Sequence, residues 1–196
     1  MKNLILILLV SFLYSNSYGQ KKKAVVKKNV ATSVLAKTDN LTAEIIKNNF
    51  YLFINNGKKK DTIIIKSVDN KIIPTECKIV AFSAKAKPLY LLTWIEKSTL
   101  QSPTKKEDFT YTYSEIYDIT SKTKSFSNMQ TATKITEQVF LDKLKNASET
   151  QERLRNEGFV FTLTKEGDIM LNTKKQENKM TFDIDTKKYI DIKKKK

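Results

Sequence analysis

Short runs of β-branched and aromatic residues, separated by turn residues, recur along this chain from residue 50 onward. The clearest pair is residues 50–54 and 62–65, which flank a segment that contains Asn56-Gly57. Asn-Gly readily adopts the positive φ angles of a tight hairpin turn, so these runs are predicted to be two antiparallel strands. Short strands joined by turns are typical of antiparallel sheets, and the pattern therefore favours a β-rich fold.

Further strands are predicted after this hairpin. Residues 78–83 and 89–95 form a second pair, which follows a break at Pro74. Residues 108–119 and 125–140 are longer runs that alternate between polar and apolar side chains. Three more strands are expected between residues 159 and 192, where short polar turns again separate the apolar runs.

One late segment has the features of a helix. Asp142 can cap the free N–H groups at the start of a helix over residues 143–156, and Gly158 suits the left-handed residue that ends one. Glu149 and Arg153 stand four residues apart, which is the spacing of a helical ion pair. The predicted fold is therefore α+β, a predominantly antiparallel sheet of about eight strands with one late helix at about 143–156.

The first nineteen residues have the order of a secretory signal peptide. Lys2 precedes a short apolar run over residues 4–14, and small residues, Ser17 and Gly19, stand just before the expected cut. Eleven residues in a helix span about 16 Å, well short of the roughly 30 Å hydrocarbon core of a bilayer, which argues against a retained anchor. We expect cleavage near Gly19-Gln20 and a secreted or periplasmic product, typical of a bacterial envelope.

Charge is concentrated at the ends of the predicted mature chain. The net charge is +15, but five lysines lie in residues 21–28 and four in residues 193–196, and residues 31–192 hold 26 basic and 21 acidic residues. We therefore expect a signal peptide at 1–19, a basic lead-in or linker at 20–38, a single α+β domain at 39–192 and a lysine tail at 193–196. The tails favour weak contact with anionic envelope surfaces.

The residue types present exclude several function classes. Only Arg153 and Arg155 are arginines, whereas nucleic-acid readers favour arginine for its bidentate fork, so we expect no nucleic-acid partner. The chain has no histidine, which removes the usual catalytic triads and the usual zinc sites. Its one cysteine, Cys77, cannot form an internal disulfide and is expected to be a small buried hydrophobic residue. No cofactor and no metal are predicted.

Two short motifs resemble catalytic signatures. Ser121 and Lys124 match the S-x-x-K pattern of serine penicillin-recognising enzymes, in which lysine helps to deprotonate the serine, but no K-T-G or S-D-N motif accompanies them. Asp183 and Asp185 resemble the D-x-D-x-T start of haloacid-dehalogenase-like phosphatases, yet only ten residues follow the motif. That signature belongs near the start of a doubly wound domain, so neither motif predicts a catalytic site.

Acidic and aromatic residues cluster in the middle of the chain. Carboxylates that a hydrolase would need are available near the aromatic strands at Glu96, Glu107, Asp108 and Glu115. Phe109, Tyr111 and Tyr113 alternate with Thr and Ser, which places their rings on one face of a strand. This face is either the half-buried side of the sheet or a stacking surface for a ligand. The candidate ligand-binding residues are Tyr90, Trp94, Tyr111 and Tyr113.

The leading functional hypothesis is a non-enzymatic binding module of the envelope, with a protein or glycan partner. One alternative is a small secreted hydrolase that uses carboxylates or Ser121 and Lys124. A second alternative is a basic protein that adheres to anionic envelope surfaces through its lysine tails. The chain is not expected to be an integral membrane protein, because no later apolar run is long enough to span a bilayer.

Overall fold

A computed structural model describes residues 33–57 and 59–192 and folds them into thirteen strands in three antiparallel sheets. The N-terminal sheet contains β1 (Ser33–Thr38), β2 (Leu41–Ile46), β3 (Asn49–Asn56) and β4 (Lys59–Ser67). The central sheet contains β5 (Thr75–Ala84), β6 (Lys87–Gln101), β7 (Lys105–Asp118), β8 (Thr123–Phe140) and β9 (Ser148–Glu157). The C-terminal sheet contains β10 (Val160–Leu163), β11 (Ile169–Asn172), β12 (Glu177–Asp183) and β13 (Lys188–Asp191). Each sheet is a meander, because its strands pair in chain order.

The predicted hairpins are present. Residues 50–54 and 62–65 pair within β3 and β4, and the later runs pair as β5 with β6 and β7 with β8. The predicted signal peptide at 1–19 and the lysine tail at 193–196 lie outside the described residues. Strand β1 falls at the end of the segment that was predicted to be a lead-in.

The predicted α+β class and its late helix are wrong. The described ranges contain no helix, and residues 143–156 form a loop followed by the edge strand β9. Accordingly, no helix in these ranges is long and apolar enough to cross a membrane. Asp142, predicted to be a helix cap, instead closes the loop by accepting a hydrogen bond from the backbone N–H of Asn146 at 2.9 Å.

Charged residues of the predicted helix instead form ion pairs between β9 and β8. Arg153 contacts Glu137 of β8 at 3.4 Å, and Glu152 contacts Lys134 at 2.9 Å. These pairs lie diagonally across two strands, where opposite charges stabilise a sheet much as they stabilise a helix at four-residue spacing. Every residue of β9 is exposed. The segment therefore has too little apolar surface to hold a helix against the sheet, and its backbone pairs with β8 instead.

Two hydrophobic cores cover opposite faces of the central sheet. Along β6, Leu92 and Trp94 face the N-terminal sheet, and Leu89 and Leu91 face the C-terminal sheet. This follows from the two-residue period of a strand, which sends successive side chains to opposite faces. The N-terminal core also contains buried residues of β2 and β3, namely Leu41, Ala43, Ile45, Phe50, Leu52 and Ile54. The C-terminal core adds Ile116, Ile169, Leu171, Phe182 and Tyr189.

A glycine allows the C-terminal sheet to approach the central sheet closely. Gly167, in the β10–β11 turn, has a φ of +82°, and a Cβ there would lie 2.5 Å from the carbonyl oxygen of Ser83 and 2.8 Å from Ala84. The hydroxyl of Tyr189 donates a hydrogen bond to the Gly167 carbonyl at 2.8 Å. Only glycine permits both the left-handed backbone and this contact.

The Gly167→Ala variant should be strongly destabilised. Both the left-handed conformation and the clash with Ser83 and Ala84 oppose a methyl group, so we expect a loss of about 2–5 kcal/mol in the free energy of unfolding. Gly57→Ala is the matched control, since Gly57 also has a positive φ, +62°, but has nothing within 4 Å of its Cβ position. That variant should lose only about 1–2 kcal/mol. Equal losses in urea unfolding would show that the contact is unimportant.

Candidate functional site

The four predicted ligand-binding aromatics lie on the same face of the central sheet. Trp94 pairs directly with Tyr113, and Tyr111 lies one position further along that face of β7, opposite Glu96. Tyr90 lies on the same face of β6, opposite Tyr117. The sequence therefore identified residues that the fold brings together. The N-terminal sheet packs on this face.

Most of this aromatic group packs into the N-terminal core. Trp94 is 1% exposed, with its ring edge-on to Phe50 at 5.4 Å and stacked on Tyr113 at 4.7 Å. Tyr90 and Tyr113 are half-buried against the same core. Tyr111 stacks instead on Phe109, with ring centroids 6.0 Å apart. Ligand binding by these four residues stays a prediction. A substitution of Tyr111 tests it best, because Tyr111 stacks on Phe109 and not on the core residues.

A buried carboxylate lies beside the aromatic group, on the same face of the sheet. Glu96 is 2% exposed, and both of its oxygens accept hydrogen bonds from Lys66 Nζ at 2.8 Å. Trp94 Nε1 donates a further bond to Oε1 at 3.1 Å. Burial raises the pKa of Tyr113 to about 12, and the negative charge of Glu96 and a hydrogen bond to it add to the shift. Lys66, which is itself half-buried, therefore joins the N-terminal sheet to the central sheet through an ion pair with a buried carboxylate.

A second buried carboxylate lies further along the same face. Glu115 accepts hydrogen bonds from Lys124 Nζ at 2.8 Å, from Ser127 Oγ at 3.0 Å and from the hydroxyl of Tyr117. Burial, together with the charge of Glu115, raises the pKa of Tyr117. With three donors in place, one of which is the lysine cation, this carboxylate is satisfied inside the protein, which is the arrangement expected of a structural charge.

The candidate acids do not form a hydrolase pair. Glu115 pairs across the strands with Leu92, and Glu96 pairs with Tyr111, so the two acids are separated by four residues of β6. At about 3.3 Å per residue, their backbone positions are about 13 Å apart along the sheet, and each carboxylate is held by a different lysine, whereas the carboxyl groups of glycosidases face each other across roughly 5–9.5 Å. Asp108 lies on the opposite face, bonded to Thr99 and Lys106. Glu107 pairs with Lys105 at 3.0 Å.

The S-x-x-K residues and the cysteine occupy structural positions. Ser121 donates a hydrogen bond to Asp118 at 2.8 Å in the β7–β8 turn, whereas Lys124 contacts Glu115. The lysine is thus committed to a carboxylate and is not paired with the serine. Cys77 is half-buried against the N-terminal core, and burial raises the pKa of its thiol to about 12, so the unreactive thiol form is favoured.

A cleft of about 800 Å³ lies where the chain turns from β9 into β10. Gly158 makes the corner with a φ of +81°, and a Cβ there would lie 2.5 Å from the carbonyl oxygen of Met129. Asn128 Nδ2 donates a hydrogen bond to the carbonyl of Phe159 at 3.0 Å, which holds the start of β10 against β8. We call this cavity the corner cleft.

The corner cleft combines amide, basic and apolar side chains. Its lining includes Leu154, Val160 and Thr173, with the amide residues Gln130, Asn156 and Asn172 and the basic residues Arg155, Lys174 and Lys175. No acidic residue is among the described residues that line it. Arg155 Nε lies 3.5 Å from Glu157, so its charge is partly neutralised. The net positive charge of the cleft therefore comes mainly from the two lysines.

Hydrogen bonds hold the loop that carries these lysines. Thr173 Oγ1 accepts from the backbone N–H groups of Lys175 and Gln176 at 3.2 and 3.0 Å. Next to it, Asn172 Oδ1 is buried and accepts no hydrogen bond from the described residues. Unpaired buried acceptors are rare in folded proteins and are usually completed by water, an ion or a ligand. The cleft thus has a preformed basic loop beside an unsatisfied acceptor.

The corner cleft was not predicted from the sequence, because a helix was predicted over residues 143–156. A helix ending at Gly158 leaves no strand to form the cleft wall. The signal that was available is Gly158 itself, followed directly by the alternating run Phe159–Leu163. A glycine immediately before a strand suits a corner between two sheets as well as it suits the end of a helix.

Comparisons with known proteins supply no relative. No protein-family model matches the chain, and no curated protein or solved structure is significantly similar to it. Among the described residues, no group of three or more cysteine or acidic side chains is placed to hold a metal ion. The geometry of the corner cleft is therefore the basis for assigning a function.

Replacing Lys66 should be far more costly than replacing a surface lysine. Lys66→Met leaves the Glu96 carboxylate buried without its cation, which should lower the free energy of unfolding by about 3–5 kcal/mol. Lys122→Met is the matched control, because it removes an exposed ion pair to Asp61 at 2.9 Å, a contact worth about 0–1 kcal/mol. Urea unfolding of both variants tests this difference. Similar losses would mean that Glu96 is not held as a buried charge.

The stability of the protein should fall between pH 10 and pH 12. Tyrosine in an unfolded chain ionises near pH 10, whereas burial raises the pKa of Tyr113 to about 12. The unfolded chain therefore loses this proton at a lower pH, which favours unfolding as the pH rises. Urea unfolding at several pH values should show the fall, and Tyr113→Phe should make it shallower. An unchanged pH slope in that variant contradicts the assignment.

Proposed function

We propose that this chain is an exported, non-enzymatic binding protein and that its corner cleft holds an anionic glycan. The observation that carries the proposal is the lining of the cleft, in which Lys174 and Lys175 stand beside three amide side chains with no acidic residue among the lining residues described. A cavity of about 800 Å³ is within the size range of ligand sites in proteins. The export expected from residues 1–19 places the protein where acidic glycans occur.

Each class of lining residue matches one part of such a ligand. The amides of Gln130 and Asn156 both donate and accept hydrogen bonds, as sugar hydroxyl groups require. The lysine ammonium groups suit carboxylate or sulfate groups on the glycan. Leu154 and Val160 offer apolar surface for the C–H faces of sugar rings. An acidic peptide would also satisfy the lysines, so a poly-glutamate peptide is the competing ligand against which the glycan is tested.

The aromatic face and a hydrolase remain alternative hypotheses. Ligand binding by Tyr90, Trp94, Tyr111 and Tyr113 is less favoured, because Trp94 is 1% exposed and two of its companions pack against the core. A carboxylate hydrolase is less favoured because Glu96 and Glu115 are each bound to a lysine and lie far apart. Adhesion through the lysine tails concerns residues outside the described ranges.

Calorimetric titration of the mature chain with a hexamer of galacturonic acid and a heparin-derived hexasaccharide tests the proposal. At about 0.1 M salt, the screening of charges is moderate, and we expect at least one of these acidic probes to bind. Neutral cellohexaose should not bind, because it has no negative charge to pair with the lysines. Lys174→Gln/Lys175→Gln should weaken binding about tenfold, equivalent to about 1.4 kcal/mol.

The controls separate the cleft from other surfaces. Lys165→Gln removes an exposed lysine from the β10–β11 turn, away from the cleft lining, and should leave the affinity unchanged. Tyr111→Ala should also leave it unchanged, and a loss in that variant would move the site to the aromatic face. Binding of a poly-glutamate peptide in preference to the glycans, or no binding of either acidic probe, contradicts the proposal.

A further inference from the structure

The β8–β9 hairpin extends beyond the rest of the central sheet. The last pairing between β7 and β8 is Lys105 with Glu137, whereas β8 and β9 remain paired as far as Phe140 and Ser148. One further hydrogen bond, from the Gln138 N–H to the Thr104 carbonyl at 2.8 Å, supports the base of this extension. Residues 139–148 therefore form a projecting two-stranded end, which we call the hairpin tip.

The hairpin tip exposes large apolar side chains. Leu144 is 81% exposed, Leu141 is 63% exposed and Phe140 is 36% exposed. A single exposed leucine is ordinary on a protein surface, but three large apolar side chains within five residues at a projecting end form a patch. Exposed apolar patches of this kind mark interaction surfaces.

Lysines alternate with these apolar residues. Lys143 and Lys145 are both exposed, and neither forms a salt bridge within the described part of the chain. Lys145 Nζ lies 5.3 Å from the centroid of the Phe140 ring, which keeps a positive charge beside the apolar patch. The one acidic residue of the loop, Asp142, turns a carboxylate oxygen to the backbone N–H of Asn146. The outer surface of the tip is therefore apolar and positively charged.

Backbone hydrogen bonds define the shape of the tip. The Leu141 N–H donates to the Ala147 carbonyl at 2.9 Å, and the Lys145 N–H donates to the Asp142 carbonyl at 3.3 Å. A loop that is already closed by its own hydrogen bonds loses little conformational freedom when it binds. The exposed leucines are thus displayed by a preformed turn.

We propose that the hairpin tip inserts into the surface of an anionic phospholipid bilayer. Leu141, Leu144 and Phe140 enter the boundary between headgroups and acyl chains, and Lys143 and Lys145 contact the lipid phosphates. Apolar side chains flanked by lysines bind membranes in this way, through buried apolar area together with attraction to anionic lipids. The hairpin tip and the corner cleft have no residue in common.

Charge and area favour a bilayer over a second copy of the chain as the occupant. Two tips facing each other bring four lysines together, and only Asp142 of each copy opposes them. Stable protein interfaces bury roughly 1,200 Å² or more in total, which is more than three side chains from each copy supply. An anionic lipid surface, in contrast, complements the lysines and accepts an apolar tip of any size.

Tryptophan fluorescence of a Leu144→Trp variant tests insertion directly. The native Trp94 is buried in the N-terminal core and provides a constant background. With vesicles of phosphatidylcholine and phosphatidylglycerol at about 3:1, we expect the emission of the new tryptophan to shift to shorter wavelength and to be quenched by brominated acyl chains. Vesicles of pure phosphatidylcholine should give a much smaller change. No shift with anionic vesicles overturns the proposal.

Vesicle sedimentation of the full mature chain separates the tip from the lysine tails. Leu141→Ser/Leu144→Ser should weaken binding to the anionic vesicles at least tenfold, whereas Ile64→Ser, which changes an apolar residue that is 68% exposed on β4, should not. Removal of residues 21–28 and 193–196 should leave the fluorescence shift of Leu144→Trp in place. Unchanged sedimentation of the double variant, or a concentration-dependent dimer that this variant abolishes, overturns the proposal.

Discussion

The fold depends on strand β6, which is buried on both faces at once. Over residues 89–94 its side chains alternate between two separate cores, so one strand binds the N-terminal sheet on one side and the C-terminal sheet on the other. Burial of each large apolar side chain contributes about 1.5–3 kcal/mol, and the two cores together are the main source of stability. The distal ends of β8 and β9 have no such cover and are left to form exposed surfaces.

Two buried carboxylates are neutralised by lysines, and one of these ion pairs connects two sheets. Glu96 and Glu115 are each neutralised by one lysine and by further donors, as expected when a charged group is removed from water. The Lys66–Glu96 pair spans the N-terminal and central sheets and therefore depends on their correct docking. Of the buried polar atoms that have no hydrogen-bond partner among the described residues, Asn172 Oδ1 is the one that belongs to a residue of the corner cleft.

The sequence predicted most of the pairing but not the late strand. Local signals sufficed for the β3–β4 hairpin, because Asn56-Gly57 and the flanking apolar runs act within a few residues of each other. The segment that became β9 has no apolar alternation, and its charges fit a helix and a sheet edge equally well. Its strand state depends on β8, whose pairing from Thr131 to Phe140 supplies the hydrogen bonds. The strand conformation of β9 is therefore determined by its pairing with β8 and not by its own local sequence.

Residue types and short-range pattern alone determined that the described chain is rich in antiparallel strands, that Phe109, Tyr111 and Tyr113 share one face of their strand, and that histidine chemistry is absent. Only the tertiary structure decided that Trp94 is core, that β9 forms one wall of the corner cleft, and that the hairpin tip projects. The physical reason is that strand periodicity gives the face of a side chain, whereas its exposure depends on which sheet docks there.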